Sequence, residues 1–496
     1  MLNSSKKRVC IIGAGPGGLS AGMILAHAGY EVHIFEKDGD VGGRNAPLRL
    51  GEFTFELGPT FVMLPQVFRD VFALAGRKME DYLEFERVDP LYRLRFTDGK
   101  SLRIWDNLDK RLEEIRSLFP GEETAYQKWY TDHVKKFEKT YACLTTPYLH
   151  LTDYMSRPLL RALPVMQLHK SVYQVLEGYF KTEPMRFATS FQAKYLGMSP
   201  WKCPGAFSIL AFAEHGFGIF HPKGGVFQIS QAMARVFQED GGQIHLQSEV
   251  ASVQMKHGIA SGVTLKDGQR IEADHVIINA DFASAMMQLI EEKDRPSYSN
   301  ARIKKSTYSC STLMLYLGLD KVYDIPHHNI FFGKDYQLNV QEILDGKGLP
   351  TDPAFYLQNA CILDPSLAPP GKSTLYVLVP VSNLVHSTYN WKSDKKKLRD
   401  MIVRAIMEKT ELKDLDQHIE VERVITPMDW EGEKNVYRGA VFNLAHSLTQ
   451  MLYLRPHNRL NDTKNVYLVG GGTHPGSGLP TILESGRIAA ALIQNS

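Results

Sequence analysis

The stretch from Arg8 to Arg44, RVCIIGAGPGGLSAGMILAHAGYEVHIFEKDGDVGGR, constrains the fold more than any other part of this chain. Val9 to Ile12 reads as a buried parallel strand, and Gly13, Gly15 and Gly18 come next as G-x-G-x-x-G. The first glycine permits a tight turn, the second lets a pyrophosphate approach the backbone, and the third lets helix pack on strand. Ala14 and Gly17 complete that turn. The helix, from about Gly17 to His27, offers its N-terminus to phosphate. Gly29 closes it, and a strand from Glu31 to Phe35 delivers Glu36, with Lys37 beside it, where an acid meets ribose hydroxyls. An acid there disfavours a 2′-phosphate. The pattern predicts an α/β fold with a dinucleotide on a Rossmann-like unit; tight packing of a βαβ unit without ligand is its bland counterpart.

Residues 42–60 decide which dinucleotide is expected. Gly42-Gly43-Arg44 comes directly after the acidic strand, and Glu56-x-Gly58-Pro59-Thr60 shortly after that. Small residues let the backbone run close to a long extended cofactor, and Arg44 can neutralise phosphate charge. FAD is favoured over NAD. Near the C-terminus, Gly470-x-Gly472 imitates a second fingerprint, but only 24 residues lie beyond it, too few for the ~30-residue βαβ unit such a site needs. No NAD(P) domain is expected.

At 496 residues the chain exceeds the usual single-domain range, so more than one domain is expected. A net charge of +2 gives no case for nucleic acid. Five cysteines, Cys10, Cys143, Cys203, Cys310 and Cys361, are odd in number and contain no C-x-x-C pair. That spacing argues against a disulfide framework or a metal site and fits a reducing cytosol. MLNSSKKRVCII lacks the small-residue cleavage site of a signal peptide. No run approaches the ~18 apolar residues of a membrane span. The expectation is a cytoplasmic protein, soluble or lying on the inner face of the membrane.

The first 75 residues begin a doubly wound unit but leave it before the sheet is complete, so distant segments must finish it. HPKGGVFQISQAMARVF carries Val226, Ile229, Met233 and Val236 on one helical stripe. Strands are expected around Gln243 to Val250, Gly262 to Leu265 and in ADHVIINAD (273–281), and NVYLVGGG (465–472) runs into glycines and then a helix from about Thr481. Residues 1–104, 216–299 and 426–496 are therefore assigned to the cofactor domain. Residues 105–215 read as a helical insertion and 300–425 as a β-rich substrate domain. Within the insertion, Tyr148 to Phe180 interleaves Leu, Met, Val and Tyr with Arg157, Arg161, His169 and Lys170. Such a stretch can lie in a membrane interface, or it can be a core-packed helical pair broken at Pro164. Both readings stay open.

With these pieces placed, the sequence resembles the bacterial-type phytoene desaturases, FAD-dependent enzymes of the amine-oxidase type of Rossmann-like fold. TPMDW (426–430), LRPHNR (454–459) and YLVGGGTHPGSGLP (467–480) are similar to the family's terminal signature. PKGG (222–225), YLGL (316–319), HHNIFF (327–332) and DPSLAPPGK (364–372) are similar to its internal blocks. The resemblance implies that Gly472, Thr473, Pro480 and Thr481 close over the flavin and that Val250 lies beside the adenine. It implies a lipid-dissolved polyisoprenoid substrate, a peripheral membrane surface, and oxygen or a quinone as electron acceptor.

Desaturation by hydride loss leaves a proton to be removed. His328 in the HHN block, Glu214 and His215 ahead of FGIFHPKGG, and His474 in the THPG turn are the candidate acid–base residues. Each is more often structural, and the proton can also leave without a protein base. The same flavin motifs would serve a carotenoid isomerase, a retinol-saturase-like reductase or a terminal carotenoid oxygenase. A non-enzymatic isoprenoid-binding chaperone shares the fold, but the intact Glu36, Gly43, Arg44 and THPGSGLP count against it.

Overall fold

The computed structural model describes residues 6–344, 346, 348–385 and 387–496. Five strands form an all-parallel sheet in the order Val466–Leu468, His275–Ile278, Arg8–Ile12, Glu31–Phe35 and Gln243–His245. Alternate residues of Arg8–Ile12 go to different cores. Val9 and Ile11 face the helices Pro16–His27, Gln228–Glu239 and Leu479–Gln494. Cys10 and Ile12 face Val253 and Val263 of an antiparallel sheet made by Val250–Lys256, Ile259–Leu265 and Arg270–Glu272. A parallel sheet covered on both faces needs the unbroken apolar runs that the sequence supplies.

The helices Pro16–His27 and Leu479–Gln494 approach closely because both carry glycine at the contact. A Cβ on Gly486 would lie 2.4 Å from the Gly17 carbonyl oxygen, and one on Gly18 would lie 2.5 Å from that of Gly13. Gly17 and Gly18 thus serve packing.

A second sheet of seven strands runs Ile419–Ile425, Ser311–Leu319, Ser373–Val381, Phe355–Gln358, His328–Phe331, Tyr92–Arg95 and Ser101–Ile104. The last two belong to the segment, up to residue 104, that the sequence suggests for the cofactor unit. They pair here instead, Tyr92–Arg95 lying parallel to His328–Phe331. Their alternating pattern, with Tyr92 and Leu94 buried, says strand without saying which sheet. Likewise Gln243–His245 joins the parallel sheet while Val250 opens the small antiparallel one.

A helical layer, dominated by Leu108–Leu118, Glu122–Thr145 and Ile209–Phe217, packs on Ser101–Ile104 and on the helix Leu479–Gln494. Pro164 lies inside one helix, Arg157–Met166, and does not divide a pair. Leu159, Ala162 and Met166 pack inward, while Leu160 and Leu163 stand exposed. Among the described residues no helix is long and apolar enough to cross a membrane.

Candidate FAD and substrate site

One continuous cavity begins at the carboxyl ends of the parallel strands and continues under the seven-stranded sheet. Its first part is lined by Gly13, Gly15, Glu36, Lys37, Gly43, Arg44, Val250, Asn279, Asp281, Gly470 and Pro480. Two helix N-termini open onto it, at Gly15 and at Gly478, and neither has a side-chain cap. Unpaired N–H groups and the positive ends of two helix dipoles therefore meet where a diphosphate would lie.

The loop geometry is fixed from several sides. Glu36 accepts from the Ala14 N–H at 2.8 Å and from the Asp38 N–H at 2.9 Å. Each carboxylate oxygen keeps further acceptor capacity toward the cavity. Burial raises its carboxyl above the ordinary range, partly offset by those backbone donors. The Asn279 side chain donates to the Gly13 and Gly15 carbonyls at 2.9 and 3.2 Å. A Cβ on Gly13, where φ is +96°, would sit 2.4 Å from the Asn279 carbonyl oxygen. The half-buried Arg44 donates to the Val441 carbonyl and lies near Asp281. Lys37 donates to the Glu433 carbonyl at 2.6 Å.

The uncapped helix ends, the buried acid and the glycine-lined trough fit a dinucleotide, with FAD's diphosphate at Gly15 and Gly478 and a ribose at Glu36. Pro59 and Thr60 line the cavity farther in. They sit on a loop held by three tyrosines of the other sheet. Tyr316 donates to the Leu57 carbonyl at 2.5 Å, Tyr376 to the Gly58 carbonyl at 2.8 Å, and the Tyr356 hydroxyl lies 2.9 Å from that of Thr60.

Other candidates lie behind the wall. The Ala14 N–H is spent on Glu36, and Gly17 and Gly18 pack their Cα atoms against Ile482, Asn279 and the Gly13 carbonyl while their N–H groups are the unpaired donors of the first helical turn. A Cβ on Gly472 would strike Phe282 and Asn443 at 2.5 Å. The Thr473 carbonyl accepts from Arg455, which also donates to the Gly471 carbonyl at 2.6 Å. The Thr481 hydroxyl donates to the Gly476 and Gly478 carbonyls. Their carbonyls, packing and hydroxyls shape the turn that Gly470, Gly478 and Pro480 present.

None of the four acid–base candidates lines the cavity. His474 bonds the Thr146 carbonyl at 2.9 Å and is pushed down to about 3 by burial. It ties the C-terminal turn to the long helix. His215 is bracketed by the hydroxyls of Tyr92 (2.5 Å) and Tyr126 (2.7 Å), and Tyr92 also donates to Glu214 at 3.0 Å. That network is buried behind Phe191 and Leu210. His328 stands one ring behind the wall, stacked on Phe61 with centroids 4.3 Å apart, its Nδ1 2.7 Å from the Tyr356 hydroxyl.

Beyond Thr60 the cavity turns apolar, lined by Phe61, Met63, Phe191, Leu196, Leu210, Met314, Ile330, Phe355 and Leu378. Lys194 is a cation on this wall, its ammonium 4.8 Å from the Tyr336 ring centre. Such a chamber holds a long hydrocarbon through shape and burial.

Asn279 and Asp281 are site residues that sequence reasoning misses. ADHVIINAD reads as a buried strand and nothing more. The signal available is its position, since ligands in open α/β sheets bind beyond the carboxyl ends of strands.

Residues 16–494 match the family described as flavin-containing amine oxidoreductase. The chain is 47% identical over 490 residues to a 4,4′-diapophytoene desaturase (4,4′-diapolycopene-forming) of Methylomonas, covering 99% of this chain and 96% of that protein. It is 33% identical to a lycopene-forming phytoene desaturase of Pantoea ananas, covering 98% and 99%. An oxidoreductase structure from Methanosarcina mazei shares the fold, with a TM-score of 0.64 at 17% identity over 99% of this chain and all of that one. A match along almost the entire sequence, and likeness at this level to carotenoid desaturases, make this chain a member of the flavin-containing amine oxidoreductases, in their bacterial-type phytoene desaturase branch, with FAD as its cofactor.

Proposed function

We propose that the protein desaturates a long acyclic carotenoid precursor, with the C30 chain of diapophytoene as its preferred guest. The observation that carries this reading is the unbroken passage from the dinucleotide trough into an apolar chamber where, among the described residues, no acidic side chain waits to receive an amine. When bound, FAD supplies a two-electron oxidant that accepts hydride. The chain's own part is to orient the guest, exclude water and remove the remaining proton. Gly13, Gly15, Glu36, Arg44, Asn279 and the Gly478 helix end would hold the dinucleotide. Pro59 and Thr60 would face its redox end, and Phe61, Met314 and Phe355 would line the guest's path.

The guest reaches the chamber from lipid, and one surface is suited to that. Leu151 and Met155 are 65% and 70% exposed, and Leu160 and Leu163 stand beside them on the next helix with Arg157 and Arg161. Apolar side chains flanked by arginines suit the interface of an anionic membrane. Electrons would leave to oxygen or a quinone.

Expression with phytoene or diapophytoene, then mass and absorption of the extract, tests this reading. Product two mass units lighter per step, absorbing at longer wavelength, is expected. An unchanged mass with a shifted spectrum would replace it with isomerisation, and unaltered precursors would overturn it.

A further inference from the structure

Three sequence blocks, 327–332, 222–225 and 364–372, converge on one buried polar cluster behind the cavity wall, which Thr60 and Tyr356 line. Its inner end is the Thr60 hydroxyl on the cavity wall. From there the contacts run to the Tyr356 hydroxyl at 2.9 Å and to His328 Nδ1 at 2.7 Å. The His327 ring meets the His328 ring edge-on at 4.3 Å, and the His221 ring meets that of His327 at 5.0 Å. His221 Nε2 then lies 3.1 Å from an Asp364 oxygen that also accepts from the Gly224 N–H. His328 Nε2, His327 Nδ1 and His221 Nδ1 are buried without a hydrogen-bond partner among the described residues. A core built for packing alone does not gather three imidazoles with spare ring nitrogens in a row.

We propose that Thr60, Tyr356 and His328 form the route by which the desaturation proton leaves the substrate, with His327, His221 and Asp364 as its continuation. This rests on the proposed desaturation. Removing two hydrogens from adjacent carbons takes one as hydride, with both electrons of its C–H bond, and the other as a proton. Once the first has gone, the neighbouring C–H bond is acidic enough for a hydroxyl backed by a neutral imidazole to accept its proton. The C–H electron pair becomes the new C=C bond. At rest the Tyr356 hydroxyl donates to Thr60 Oγ; with both hydroxyls turned toward His328 Nδ1, Thr60 Oγ takes the proton as its own passes to Tyr356, whose proton passes to His328 Nδ1. The imidazolium so formed sheds its Nε2 proton toward His327 and His221 by way of water bridging the spare nitrogens. Burial keeps His328 neutral. It is therefore ready to accept, and once charged it gives the proton up readily. Thr60 and Tyr356 both line the cavity, and His328, which does not, acts through them as a positioning residue.

The test uses FAD-loaded full-length protein and the Tyr356→Phe variant, which keeps the ring and removes the bridge. Anaerobic single turnover with the accepted precursor in liposomes should be slowed at least about tenfold, the modest side of the ~10²–10⁴ typical of positioned proton transfer. FAD content and precursor binding should stay unchanged. His328→Gln should show the same slowing. Independently of turnover, ¹⁵N-histidine spectra should show one Nδ1 resonance, lost in His328→Gln, that shifts in Tyr356→Phe. Wild-type rates in both variants, or an unmoved resonance, would overturn the route while leaving the functional reading intact. Absence of product from the wild-type protein with every precursor would instead remove the functional reading and the route with it.

Discussion

Asn279 donates its side-chain amide to the Gly13 carbonyl at 2.9 Å, joining the end of one central strand to the turn at the end of the next. The same amide reaches Gly15, so a single side chain sets the spacing of the turn that opens the helix. Replacing Asn279 with Ala leaves two carbonyls short of a donor. We expect weaker FAD binding by about 1–3 kcal/mol, read as flavin fluorescence during titration of the apoprotein. Affinity equal to wild type would show that the turn holds itself.

Glu36→Gln keeps the shape of the ribose hook and removes its charge. FAD affinity should fall by ~1–3 kcal/mol, the scale of a charge-assisted hydrogen bond. Cofactor retained on gel filtration at wild-type occupancy, with an unchanged dissociation constant, would contradict the role given to this acid.

Arg455 is buried and pushed down to about 9 by that burial, with no carboxylate bonded to it among the described residues. Its guanidinium serves the carbonyls of Gly471 and Thr473. Arg455→Met should cost about 2–4 kcal/mol and release FAD at lower urea than unfolding requires, since the turn loosens first. Simultaneous loss of both signals at the wild-type midpoint would argue otherwise.

Burial holds eight histidines below their ordinary range: His133 and His474 at about 3, His215, His327, His328 and His446 well below it, and His245 and His275 lowered as well. In the unfolded chain they titrate near ~6.5. A folded value lowered in this way gives stability that is complete above ~6.5 and lost as pH falls toward the folded values. Each of those lowered furthest adds a slope on the order of 1 kcal/mol per pH unit. The urea midpoint should therefore drop steeply between pH 7 and pH 5. A flat profile across that range would mean that the imidazoles are charged in place.

Changing Leu151 and Met155 together to Ser should lower partition onto anionic liposomes at least about tenfold, given ~1.5–3 kcal/mol for each buried apolar side chain. FAD content should not change. Equal sedimentation with vesicles would assign the patch to another role.

The glycine turn, the acidic hook and the C-terminal helix are legible in the sequence because each imposes a local rule: a positive φ, an uncapped helix end, a fixed spacing. Gly13 and Glu36 can be placed from their neighbours alone. The destination of Tyr92–Arg95 cannot, because alternation specifies a strand and leaves its partner to the whole chain. Asn279 escapes for a related reason, since its value lies in reaching across to a turn 264 to 266 residues away. The four acid–base candidates are picked out by residue type, and type says nothing about which side of Phe61 or Phe191 a group will occupy.

Three tyrosines, Tyr316, Tyr356 and Tyr376, stand on three neighbouring strands and grip one four-residue loop, Leu57 to Thr60. The two halves of the molecule are thereby riveted at the point where they meet. They cannot part like a jaw to admit a guest without losing three contacts together. We expect a long guest to be drawn in by one end, as thread through the eye of a needle.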